Sequence, residues 1–141
     1  MADESIVTTQ NGLHACLVVS DLDAGIDWYG RVLGFQLRQR HDYTEYGVRV
    51  VYLEQRGAEL ELVETQTSKP CRRDDPPGGH FALRGLSQLS FRVADMDAAV
   101  GQLQGHGVAI VFGPVNSPEF NLKACFIRDY EDNLIEFIER S

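Results

Sequence analysis

The sequence predicts an α+β fold in which two tandem βαβββ modules form an incomplete barrel. Three observations carry this. The stretch Gly12-Leu13-His14-Ala15-Cys16-Leu17-Val18-Val19-Ser20-Asp21-Leu22-Asp23-Ala24 returns, one residue longer, as Gly85-Leu86-Ser87-Gln88-Leu89-Ser90-Phe91-Arg92-Val93-Ala94-Asp95-Met96-Asp97-Ala98. Glu59-Leu60-Glu61-Leu62-Val63-Glu64 is echoed by Leu134-Ile135-Glu136-Phe137-Ile138-Glu139. Each copy also opens on a strand, passes through one helical stripe and ends in three strand-like runs. A repeat of this length means two copies of one supersecondary unit packed together. Two strongly curved sheets, paired, give a partial barrel with an open mouth.

The elements follow in order. Residues 1–11 read as a disordered lead. Over 12–19, Leu13, Ala15, Leu17 and Val19 alternate with His14, Cys16 and Val18, which is a strand with one polar intruder. Asp21 can cap a helix whose apolar stripe is Leu22, Ile26, Tyr29 and Leu33, and Gly34 can stop it. Strands are expected near 35–41, 46–54 and 58–64, separated by turn residues at 42–47 and 55–57. In the second copy a strand at 86–93 leads to Asp95, then to a helix with Met96, Val100 and Leu103 inward, ended by Gly105 and Gly107. Strands near 108–112, 121–128 and 133–139 complete it. The turn Asp129-Tyr130-Glu131-Asp132-Asn133 offers residues that tolerate the left-handed conformation. Between the copies, residues 65–84 are rich in Pro, Gly and charge and read as a linker, more a tether than a cover. Residues 1–141 are thus one domain of two repeats, 12–64 and 85–139.

Composition narrows the function. With 141 residues, 43% hydrophobic and 24% charged, the chain is an ordinary globular one with enough length for one core. A net charge of -8 argues against a nucleic-acid partner. The basic cluster Lys69…Arg72-Arg73 is followed at once by two aspartates. No apolar run reaches membrane-spanning length and the N-terminus is acidic, so neither a membrane partner nor a signal peptide is expected. The three cysteines, Cys16, Cys71 and Cys125, fit no paired spacing, which points to reduced thiols and a cytoplasmic location.

The repeat sets polar residues at matched places on otherwise apolar strands: His14 against Gln88, and Glu61 against Glu136. Taken singly, a strand His or Glu is more often a satisfied or solvated side chain. Two matched pairs, every member able to bind a metal, point instead to a divalent metal site. An imidazole nitrogen, an amide oxygen and two carboxylates form a hard-to-borderline donor set, and the two carboxylates neutralise the ion. The set suits Zn, Ni, Co, Mn or Fe(II) and does not choose among them. Glu59 shares a face with Glu61 and could replace it, but Leu60-Glu61-Leu62 matches Ile135-Glu136-Phe137. Glu59, Glu64 and Glu139 read as solvated, and His41, His80 and His106 as surface residues. Phe91, Phe126, Phe137 and Tyr52 read as barrel filling.

The chain resembles the vicinal oxygen chelate superfamily of glyoxalase I, methylmalonyl-CoA epimerase, extradiol dioxygenases, and fosfomycin and bleomycin resistance proteins. The markers are the His14 strand ending Val19-Ser20-Asp21, the segment Trp28-Tyr29-Gly30-Arg31-Val32-Leu33-Gly34-Phe35, and Arg128-Asp129-Tyr130-Glu131-Asp132-Asn133-Leu134-Ile135-Glu136-Phe137. The last resembles the family's Asp-Pro-Asp-Gly-Asn-x-x-Glu, with Tyr130 and Asp132 in place of Pro and Gly. The resemblance implies metal ligands at His14, Glu61, Gln88 and Glu136, a small-molecule substrate and a homodimer.

The donor types are most similar to those of eukaryotic-type glyoxalase I, with the halves exchanged, and Gln88-Leu89-Ser90-Phe91-Arg92-Val93 resembles its Gln-x-x-x-Arg-Val. The resemblance implies a metal-dependent lyase or isomerase. A carboxylate removes a proton next to a metal-bound carbonyl, through an enediolate. Glu136 is expected as the base, with Glu61 its counterpart, and Arg92 and Cys16 as substrate-binding residues. The glutathione-holding cations cannot be matched, Arg92 apart. Epimerase or dioxygenase chemistry is an alternative, though those sites use two histidines. Metal-free drug binding is another, though such proteins usually lack the four ligands.

Overall fold

A computed structural model describes residues 12–71 and 76–141 of the chain. The expected disordered lead at 1–11 and the Arg72-Arg73-Asp74-Asp75 run lie outside the described residues. Two compact units broadly follow the two modules, the second comprising Arg31–Leu33 and Lys69–Ser141. Each forms its own four-stranded mixed sheet carrying one helix, so the α+β class and the tandem βαβββ order stand. Among the described residues no helix is long and apolar enough to cross a membrane.

The first module runs β1 (His14–Val19), α1 (Leu22–Leu33), β2 (Gln36–Tyr43), β3 (Val48–Gln55) and β4 (Ala58–Thr65). Its strand order is β1-β4-β3-β2, with β1 parallel to β4 and the other pairs antiparallel. Residues paired across strands share a face. One face carries Val19, Leu60, Leu62, Val51 and Leu53, all buried, and Leu22 and Tyr29 of the α1 stripe are buried with them. Each such side chain contributes about 1.5–3 kcal/mol by leaving water. Asp21 accepts from the Ala24 amide at 2.9 Å, and Gly34 closes the helix in the left-handed region at φ 76, as expected.

The second module has a 3-10 turn (Gly79–Ala82), then β5 (Leu89–Arg92), α2 (Met96–Gly105), β6 (Phe112–Ser117), β7 (Leu122–Arg128) and β8 (Leu134–Arg140). The order is β5-β8-β7-β6, again with the first pair parallel. Ile135, Phe137, Cys125 and Ile127 are buried, with Met96 and Leu103 of α2. Strand β6 lies later than the expected 108–112. Pro114 sits inside it, which an edge strand tolerates because its donor side needs no partner, and the pairing shifts register between Phe112 and Val115. Asp132 takes φ 65, the conformation for which the family pattern keeps glycine. Asp129 holds that turn together, accepting from the Glu131 and Asn133 amides at 2.8 and 2.9 Å.

Glu64 and Glu139 are not the solvated residues expected. Each is the next-to-last residue of its module's last strand, on the row of buried side chains, where a carboxylate needs a donor. Glu64 accepts from the Leu22 amide at 2.7 Å and Glu139 from the Met96 amide at 2.6 Å, so each caps its own helix. Arg49 also pairs with Glu64 at 2.9 Å. Glu139→Ala leaves a part-buried amide without its acceptor and is expected to lower the unfolding free energy by about 1–2 kcal/mol in urea titration. Glu45→Ala, at an exposed turn, is the control and is expected to stay within about 0.5 kcal/mol of wild type. Equal effects of the two would remove the capping role.

Candidate metal centre

The parallel pairing of β1 with β4 sets His14 beside Glu59 and Cys16 beside Glu61. These four side chains and Tyr52, paired with Glu61 from β3, share the face opposite the buried row. His14 Nε2 lies 3.4 Å from Glu61 Oε2, and Nδ1 lies 3.7 Å from Glu59 Oε1. Of the two acids Glu61 is nearer and less exposed, 21% against 43% for the side chains, which agrees with its place in the repeat. Glu59 stands on the imidazole's other side, beyond hydrogen-bond distance of Nδ1.

Tyr52 and Cys16 both hydrogen-bond to Glu61. Loss of water contact raises the pKa of the otherwise exposed Cys16 thiol, and the adjacent Glu61 charge raises it further. The Tyr52 hydroxyl is raised for the same two reasons in the same order. Both therefore stay protonated at neutral pH and donate to the carboxylate.

The second module repeats the plan. Ser90 pairs with Glu136 across β5 and β8 as Cys16 pairs with Glu61. Ser90 Oγ donates to Glu136 Oε1 at 2.8 Å, and Gln88, just before β5, donates through Nε2 to the same oxygen at 3.1 Å. Phe126 occupies the Tyr52 position and offers no hydroxyl. The buried Cys125 thiol is also raised, by burial and then by Glu136. Arg92 is exposed at the end of β5, on the Ser90 face.

His80 is not a simple surface residue. Its Nε2 lies 2.7 Å from Gln88 Oε1. Tyr52, Ser90 and His80 were thus missed as neighbours of the expected ligands. Strand parity relative to His14 and Gln88 marks the first two, but no periodicity marks His80.

The expected ligands therefore stand as two pairs, one in each module. Among the described residues no three His, Cys, Asp or Glu side chains gather into a metal-binding group. Within each pair the donor chemistry fits a cation. Ligands held at about 2.0–2.2 Å by one divalent ion stand roughly 3.0–3.5 Å apart. His14 Nε2 and Glu61 Oε2 stand 3.4 Å apart, while in the second pair the 3.1 Å contact is the hydrogen bond from Gln88 Nε2 to Glu136 Oε1, and the atom Gln88 could offer a cation is its amide oxygen.

The sequence matches the family model of the Glyoxalase/Bleomycin resistance protein/Dioxygenase superfamily over residues 13–137. It is 28% identical over 131 residues to the probable lactoylglutathione lyase of Vibrio cholerae, a match spanning 90% of this chain and 88% of that one. The glyoxalase family protein of Enterococcus faecalis superposes with a TM-score of 0.73 at 20% identity, over 89% of this chain and 94% of that one. The trypanothione-dependent glyoxalase I of Leishmania major does so at 0.68 and 22% identity, over 90% and 84%. At such identities these two structures speak for the fold alone.

Proposed function

We propose, for a chain that belongs to the Glyoxalase/Bleomycin resistance protein/Dioxygenase superfamily, a divalent-metal-dependent lyase or isomerase activity of the glyoxalase kind, acting on 2-oxoaldehyde hemithioacetals. The observation that carries the reading is the pairing of a neutral donor with a carboxylate at the same place in both modules, His14 with Glu61 and Gln88 with Glu136. The Vibrio relative's name supports the choice of reaction.

In this reading His14, Glu61, Gln88 and Glu136 together hold one divalent ion, supplied by one chain or by two copies of it in a homodimer. When bound, the ion acts as a Lewis acid that stabilises negative charge on neighbouring substrate oxygens. The residues do the rest. Glu136 takes the proton from the carbon next to the carbonyl and returns it to the neighbouring, former carbonyl carbon, while the hemithioacetal hydroxyl proton passes to the former carbonyl oxygen, so the hemithioacetal becomes the isomeric hydroxy thioester with no net gain or loss of atoms. Glu136 Oε1 already accepts from Ser90, which leaves Oε2 as the atom that receives the proton. Tyr52 and Cys16, both donating to Glu61, hold that carboxylate oriented. Arg92 and Cys16 are assigned to substrate binding. The three free thiols support a reducing, cytoplasmic setting.

Purified protein loaded with each candidate metal is expected to bind about one ion per site and to isomerise the hemithioacetal. His14→Ala is expected to lose at least about tenfold in metal affinity, measured by calorimetry. Unchanged metal uptake in His14→Ala would remove His14 from the centre. Tight drug binding with no metal uptake would replace the enzymatic reading by that of a resistance protein.

A further inference from the structure

The 3-10 turn of the connecting segment brings His80 against the second pair. The ring lies 4.0 Å from Phe81 and 6.0 Å from Phe126, between centroids. The backbone fixes its chemistry. The Gly78 amide can only donate, and it lies 3.0 Å from His80 Nδ1. Nδ1 is therefore the bare nitrogen, and the neutral ring carries its proton on Nε2. That nitrogen can then only donate to Gln88, and it meets Oε1 at 2.7 Å. The other end of the amide, Nε2, donates to Glu136 Oε1 at 3.1 Å and stands 3.3 Å from the Ser90 hydroxyl. Gly78, His80, Gln88 and Glu136 form one directed chain in which each donor fixes the next acceptor.

A metal can use Gln88 only through its carbonyl oxygen, because the amide nitrogen has no lone pair to give. In this chain of bonds that oxygen is turned to His80 and the NH2 group to Glu136. We propose that His80 is a positioning residue acting through Gln88: it holds the amide nitrogen toward Glu136, and a cation can take the carbonyl oxygen only when that hold is released. The inference rests on the metal-dependent reading of the site. Reversing the amide would set its NH2 against the Nε2 proton, donor against donor. Moving the ring proton to Nδ1 would set it against the Gly78 amide instead. The hold thus acts against the cation.

Zn2+ alone is titrated by calorimetry into wild type and into His80→Phe, which keeps a ring against Phe81 and Phe126 and removes both nitrogens. His80→Ala serves as a second variant should the first fail to fold. Side-chain 15N spectra of the histidines follow the same samples. Metal-free wild type is expected to show His80 as the Nε2–H form, and zinc loading is expected to keep that form while shifting the Nε2 resonance as its hydrogen bond to Gln88 is lost. The His80 variant is expected to bind zinc about five- to tenfold more tightly, the worth of one neutral hydrogen bond. Equal or weaker binding in a variant, while wild type binds zinc through His14, overturns the role of His80 and leaves the metal reading standing. Direct coordination of zinc by His80 in the spectra does the same. A wild type that takes up no zinc overturns both.

Discussion

Glu136→Gln is expected to lower kcat/KM for hemithioacetal isomerisation by about 10²–10⁴-fold, the usual worth of a positioned general base. The substitution keeps the side chain's size and can keep one oxygen as acceptor for Ser90, which donates to it at 2.8 Å. What it removes is the atom that can take a proton and one negative charge of the donor set. Metal content, measured on the same preparations, separates the two losses. A variant that retains its metal but not its rate has lost the base; one that has lost both has lost a ligand as well. Glu61→Gln is the matched comparison, since the two acids occupy equivalent registers against Cys16 and Ser90. A larger rate loss in Glu61→Gln would exchange the two roles. Full activity in both would end the proposed mechanism.

Gly113→Ala is expected to be the most destabilising single methyl addition in the second module. A Cβ there would stand 2.6 Å from the Ala124 carbonyl oxygen and 3.2 Å from the Cys125 Cα, both backbone atoms of the neighbouring strand with little room to yield. The residue also sits at φ 84, where a side chain costs about 1–3 kcal/mol before any clash. Edge strand β6 would have to part from β7 or shift as a whole. The expected readout is a lowered urea midpoint with the loss concentrated in the second module, seen by faster amide exchange in β6 and β7. Gly101→Ala is the control. Nothing lies within 4 Å of its added methyl, and alanine favours a helix. Equal midpoints for the two variants would contradict the packing described for Gly113.

The repeat made the fold legible. Matched strands and matched N-caps at Asp21 and Asp95 fixed the βαβββ order, and Gly34 and Gly107 marked helix ends that both take positive φ. It also paired His14 with Glu61 and Gln88 with Glu136, because only equivalent positions can be compared across copies. What it hid was whatever lies outside the pattern. Strand β6 was placed too early because its apolar run ends before Pro114, and proline argues against a strand unless the strand is known to be an edge. His80 comes from a segment with neither periodicity nor a counterpart in the first module. Glu64 and Glu139 were readable after all: both share strand parity with buried neighbours, Leu60 and Leu62 for one, Ile135 and Phe137 for the other. A carboxylate in such a row must find a donor.

Those two glutamates carry a wider consequence. A glutamate near the end of each half's last strand latches onto the opening turn of that same half's α-helix, so every half fastens itself shut with its own side chain. A segment built this way takes its clasp along when it is copied or traded between relatives. Duplication of such a segment yields two sound pieces at once, and selection can then work on their polar faces one pair at a time, as the unlike neutral donors His14 and Gln88 on otherwise like frameworks attest.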